Sequence, residues 1–162
     1  MAIAKNDDRL KRKGSSLMST DVIRDDLIGI LLLSHGTLAQ GMYSAAKMIL
    51  GEQENVSVLC FEETEDPEDF GDRISEEIQK YPAGALVLCD LMGGTPFNQL
   101  LLKNDPDSYK AITGMNLGMV LEVLTSRDDG SIESLADTAA EAGKAGVVDA
   151  IELLKSKNKK RG

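Results

Sequence analysis

One histidine occurs in 162 residues, and it closes the run Ile28-Gly-Ile-Leu-Leu-Leu-Ser-His35. Imidazole is the side chain that ordinarily gains or loses a proton near neutrality, so His35 is the first candidate for chemistry. A carboxylate that takes the proton of one ring nitrogen fixes the tautomer and leaves the other nitrogen as a lone-pair nucleophile. Asp90, at the end of Ala85-Leu-Val-Leu-Cys, is the carboxylate available at the end of another apolar run. Beyond it, Gly93-Gly94-Thr95 opens a predicted helix. Glycines there let the chain approach an anion, backbone N–H groups point at it, and Thr95 adds a hydroxyl. Gly36 and Thr37 stand in the same relation to His35, at the start of the next predicted helix. Histidine nucleophile, aspartate orienter and anion-binding turns together suit a phosphoryl group parked on nitrogen, a transfer that relies on positioning and charge stabilisation. Each residue also has a plainer reading: a strand-end histidine satisfied by backbone, an aspartate that caps, glycines that serve their own turns. Asn98, Thr113 and Asn116 are polar neighbours in the same loops.

Other chemistries fit the residue types less well. One histidine and two separated cysteines supply no metal-ligand spacing, so no metal is expected, and no cofactor. Cys60 and Cys89 each end an apolar run and read as buried thiols. No lysine follows the paired glycines as a Walker motif demands, and no G-x-G-x-x-G opens the first helix. A small hydrolase is a rival reading supported by His35 with Asp90. Against it, no G-x-S-x-G elbow occurs, and Ser34, adjacent to His35 on an extended run, points to the opposite side.

The elements that must position these residues follow from hydrophobic patterning. Residues 28–33, 56–61 and 85–90 are nearly unbroken apolar runs, as in strands covered on both faces, and 109–113 is a shorter fourth. Between them lie predicted helices: 40–50 with Met42, Ala45, Ala46 and Ile49 inward; one capped by Asp66 with Pro67 at its first position and a stripe of Phe70, Ile74, Ile78 and Tyr81; and 96–103 with Phe97, Leu100 and Leu101 inward. A helix from Gly114 through Leu124 and one capped by Ser131 follow. The fold class is therefore α/β, an open doubly wound sheet with right-handed crossovers, whose polar loops after His35, Asp90 and Gly114 gather at one rim. Residues 147–154 alternate in part and suggest a last strand, at an edge or on a partner.

Charge divides the chain into three parts. Residues 1–17 carry five of the 18 Lys and Arg and residues 155–162 another five, while residues 18–154 hold 25 acidic side chains against 8 basic. Such a body repels nucleic acid, and the basic ends read as solvated tails. Residues 1–21 are expected to be a disordered extension, 22–154 the folded domain and 155–162 a basic tail. No run approaches the length of a membrane span and the first residues lack a signal-peptide core, so a cytoplasmic location is expected.

The motifs Leu33-Ser-His-Gly-Thr-Leu-Ala-Gln-Gly-Met-Tyr-Ser-Ala-Ala46, Asp90-Leu-Met-Gly-Gly-Thr-Pro-Phe-Asn98 and Gly114-Met-Asn-Leu-Gly-Met119, taken in that order, resemble the IIA component of the mannose family of the bacterial sugar phosphotransferase system. The resemblance covers residues 27–154. It implies four parallel strands plus an antiparallel fifth, residues 147–154, exchanged within a homodimer. It implies that His35 accepts phosphoryl from the phosphohistidine of the small histidine-containing carrier protein and passes it to a separate IIB component serving a membrane permease, with Asp90 holding the ring. Thr95 takes a position that is usually serine, and Gly118 replaces a usual proline, which loosens that part of the rim. A phosphotransfer subunit of a dihydroxyacetone kinase, which usually lacks the Gly-Gly-Thr-Pro-Phe-Asn type of loop, is the nearer alternative. A non-catalytic regulatory binding protein of the same fold is another.

Overall fold

The fold is described from a computed structural model that covers residues 22–128 and 130–159, so the expected extension at residues 1–21 lies outside the described residues. Four strands, β1 (Gly29–His35), β2 (Val56–Phe61), β3 (Ala85–Cys89) and β4 (Tyr109–Thr113), form one parallel sheet in the order β2-β1-β3-β4. The apolar runs are strands because both faces are covered: every residue of β1 except His35, and every residue of β3, is buried. Ile30 and Leu32 point into a core with helices α1 (Leu38–Leu50), α4 (Leu117–Ser126) and α5 (Ile132–Ala145), whereas Leu31 and Leu33 point into one with α2 (Pro67–Ile78) and α3 (Thr95–Lys103). The helix changes face when travel along the sheet reverses between β1→β2 and β2→β3, which keeps the crossovers of one hand.

Travel along the sheet diverges at β1 and β3, neighbours that send α1 and α3 to opposite faces. Their carboxyl ends therefore frame a crevice, the switch point at which doubly wound sheets bind ligands. The register pairs Leu33 with Cys89 and His35 with Phe61. Beyond the last β1–β3 pair the Asp90 N–H still donates to Leu33 O (3.1 Å), which carries Asp90 up beside His35.

Local chemistry sets the helix starts. The Asp66 carboxylate accepts the N–H groups of Glu68 (2.8 Å) and Asp69 (3.3 Å), and Pro67 follows it, as the sequence predicts. Two stripes differ from expectation. In α1 the buried residues are Ala39, Tyr43 and Ala46, with Ile49 59% exposed. The buried Ser34 hydroxyl accepts the Ala39 N–H at 2.7 Å, so the helix starts earlier and Ala39 sets its rotation. In α3 Leu100 is buried and Phe97 half-buried, but Leu101 is exposed, because α3 packs through one narrow side against α2.

The expected fifth strand does not form among the described residues of the single chain. Residues 147–149 are irregular and α6 (Ala150–Lys159) follows, so the sheet has four strands among the described residues, and residues 155–159 of the basic tail are helical. An unpaired strand leaves its backbone N–H and C=O groups without partners, whereas a helix satisfies them locally. The Ala, Glu, Leu and Lys of this segment favour helix, and the Asp149 side chain accepts the Glu152 N–H at 3.0 Å.

Candidate functional site at the switch point

His35 ends β1 with its side chain 43% exposed, and Asp90, 11% exposed, lies directly across the crevice. One carboxylate oxygen, Asp90 Oδ2, receives both the backbone N–H of His35 (2.9 Å) and the ring nitrogen Nδ1 (2.9 Å). The carboxylate thus holds the residue at two points, and Nδ1 carries the proton it donates. Nε2 is left as the ring nitrogen without a partner among the described residues. Burial pushes the Asp90 carboxyl up, but the ring and backbone N–H groups of His35 outweigh it, so the carboxyl ends below the usual aspartate range. Its other oxygen faces the Cys89 thiol, whose Sγ is 3.6 Å away. Burial chiefly pushes that thiol up to about 11, so it stays protonated as an S–H donor.

One residue that the sequence analysis did not assign to the site completes the setting of the ring, and another holds the helix that follows. Phe61, the last residue of β2 and the register partner of His35, meets the imidazole edge-on with centroids 6.4 Å apart and planes at 80°. Ser34 points away from the crevice and fixes the start of α1. Register pairing of a strand-end aromatic with the histidine was a readable signal for Phe61; the Ser34 bond had no such signal in the spacing.

The predicted anion-binding residues are placed unequally. The Gly36 N–H donates to Phe61 O at 2.8 Å, so it faces the sheet rather than the crevice. Thr37 precedes α1, exposed and with no capping bond from its side chain. Gly93, by contrast, turns the chain at φ 78°, a conformation that side chains resist, and its carbonyl accepts the Asn98 amide at 3.0 Å. At Gly94 the amino-terminal end of α3 comes up against the imidazole, and Thr95 follows as its first residue. Asn116 is committed elsewhere: it caps α4 through the Met119 N–H (3.0 Å) and donates to Gly143 O (3.0 Å). Thr113 ends β4, half-buried. Among the described residues no group of three or more His, Cys, Asp and Glu is placed to hold a metal ion.

Residues 29–140 match the family model EIIA-man, the PTS system fructose IIA component. The chain belongs to this family. Among relatives of this IIA chain, the PTS system mannose-specific EIIAB component of Escherichia coli (strain K12) is 36% identical over 124 residues, 74% of this chain and 38% of that protein. The IIA chain thus spans well under half the length of that relative. The PTS system sorbose-specific EIIA component of Lacticaseibacillus casei is 32% identical over 110 residues, 65% of this chain and 78% of that protein. The crystal structure of phosphotransferase system component EIIA from Streptococcus agalactiae superposes with a TM-score of 0.70 at 31% identity, covering 76% of this chain and 97% of that one. No described helix of the IIA chain is long and apolar enough to cross a membrane.

Proposed function

We propose that the protein is a phosphoryl carrier. His35 takes a phosphoryl group from the phosphohistidine of a small histidine-containing carrier protein and gives it to a IIB component during sugar uptake. The observation that carries this reading is the 2.9 Å contact of His35 Nδ1 with Asp90, which leaves Nε2 unpaired on an exposed ring at the switch point. The Nε2 lone pair attacks phosphorus, the donor's N–P bond breaks, and its electron pair returns to the donor imidazole. The Nδ1 proton stays in place, and Asp90 offsets the positive charge that develops on the ring. The start of α3 lies beside the ring at Gly94, and the positive end of the helix dipole there favours the incoming negative charge. Donation to the acceptor is the same displacement in reverse.

A protein donor and acceptor suit the surface around the ring. Leu38, which opens α1, and Leu91 and Met92, on the loop after β3, are 49%, 59% and 72% exposed, an apolar collar of the kind a protein face covers. The acidic body disfavours nucleic acid as a partner, and a cytoplasmic setting suits exchange with a IIB component and, through it, a membrane permease. The domain proper is residues 22–154.

The protein is proposed to act as a homodimer. Val147, Val148, Ile151 and Leu154 are 81%, 59%, 61% and 59% exposed, and β4 is an edge strand. A second copy covering both removes an unpaired edge and an apolar row together, with residues 147–154 pairing in extended form in that assembly. Sedimentation equilibrium tests this: a monomer at micromolar concentration overturns it. The carrier reading is tested by incubation with the phosphorylated carrier protein, which should yield one acid-labile phosphoryl group per chain. H35A should yield none, and label retained on H35A refutes the assignment.

A further inference from the structure

The paired glycines of the Gly93-Gly94 turn have different surroundings. Gly93 has a left-handed φ of 78°, and a Cβ added to it would meet nothing within 4 Å. Gly94 has φ −74° and ψ 167°, an extended conformation open to every residue type. A Cβ added there would lie 2.5 Å from His35 Cε1 and 3.0 Å from His35 Nε2, with the next atom, Leu91 O, at 3.6 Å. Nothing in the backbone therefore asks for glycine at position 94. The histidine ring does.

We propose that Gly94 is a positioning residue for His35: its missing side chain is the space that lets the Cε1–Nε2 edge of the imidazole rest on the start of α3 while Nδ1 reaches Asp90. The ring is held on its remaining sides by the Asp90 carboxylate at 2.9 Å and by Phe61. A methyl group at position 94 displaces the ring by about the difference between 2.5 Å and an ordinary carbon contact of ~3.5 Å or more. A shift of that size stretches the Nδ1–Oδ2 bond out of hydrogen-bond range. The proton then no longer has a fixed place, and both ring tautomers become populated. The identity of residue 94 thus decides which nitrogen is the nucleophile, acting through His35 rather than on the substrate. This inference deepens the carrier reading and rests on it only for its kinetic part.

The test uses the single histidine of the chain, whose ring nitrogens can be followed without overlap by 15N NMR. In the parent protein the shifts should report a proton fixed on Nδ1. In G94A they should move to the averaged values of a mixed tautomer, and phosphorylation by the carrier protein should slow about 100-fold, the usual consequence of a misplacement near 1 Å. G93A, which strains the backbone without approaching the ring, should keep the parent's tautomer. A double-mutant cycle covers the case in which G94A folds poorly: alanine at 94 should lower the melting temperature with His35 present and not with His35→Ala, where only the ordinary Leu91 contact remains. Unchanged ring shifts in G94A, or the same melting-temperature change in both backgrounds, overturns the proposal. Failure of the carrier reading is separate and shows as an unaltered chain that accepts no phosphoryl group.

Discussion

Replacement of Asp90 by asparagine is the sharpest probe of the site, because its two bonds to His35 separate by role. The bond from the His35 backbone N–H is the same before and during transfer, so losing its charge assistance weakens the fold and not the reaction. The bond from Nδ1 strengthens as phosphoryl arrives at Nε2 and the ring becomes cationic. A charged acceptor makes such a bond worth roughly 1.5–3 kcal/mol against roughly 0.5–1.5 for a neutral one, and an amide also admits the wrong tautomer. The transition state therefore loses on the order of 2 kcal/mol, about 30-fold in rate with a range of about 10- to 100-fold. Single-turnover phosphorylation by the phosphorylated carrier protein, followed by rapid quench, measures this directly. The melting temperature should fall by only a few degrees, for a loss of about 1 kcal/mol. A D90N rate within about threefold of the parent would remove Asp90 from the mechanism, because that leaves less than about 0.7 kcal/mol for the charge and the tautomer together.

Three further outcomes concern the frame that holds the site. Gly29→Ala should destabilise by about 3 kcal/mol or abolish folding, seen as a lowered urea midpoint, because the added Cβ would lie 2.1 Å from Tyr81 Cγ in a closed part of the core. Ser34→Ala leaves the buried Ala39 N–H unpaired and should cost about 1–3 kcal/mol in urea unfolding, with faster amide exchange confined to the first turn of α1. Burial chiefly pushes the Tyr81 hydroxyl up to about 12, above the usual tyrosine value, so its contribution is fully present below about pH 10 and lost as pH rises toward 12. Stability should fall by on the order of 2 kcal/mol across that window, and Y81F should flatten the pH slope measured by urea titration.

The parts of the fold that strong one-dimensional patterns determine were legible in the sequence. Unbroken apolar runs mark buried parallel strands whatever surrounds them, so β1, β2, β3 and β4 and their common rim could be placed, and with them the pairing of His35 and Asp90. The Asp66-Pro67 start of α2 was equally plain, since capping is a local interaction. What escaped depends on contacts distant in sequence or on small rotations. The α1 stripe turned on one bond from Ser34, and Ile49 and Leu101 were misplaced because a helix face is fixed by its neighbours more than by its own period. Gly36 and Gly93 look alike in sequence, yet one N–H is tied to Phe61 and the other residue shapes the crevice. Residues 147–154 carry a pattern compatible with strand or helix, and within one chain the local hydrogen bonding of a helix prevails.

One consequence follows from the way the imidazole is walled in. With Asp90 on Nδ1, Gly94 beneath the opposite edge and Phe61 against its side, the ring presents a single approach, and every β strand ends on that same rim. Two proteins cannot stand in one doorway, so in the proposed carrier role donor and acceptor take turns. In that role each would compete with the other for the unmodified chain, and the loaded histidine would leave one before it meets the other.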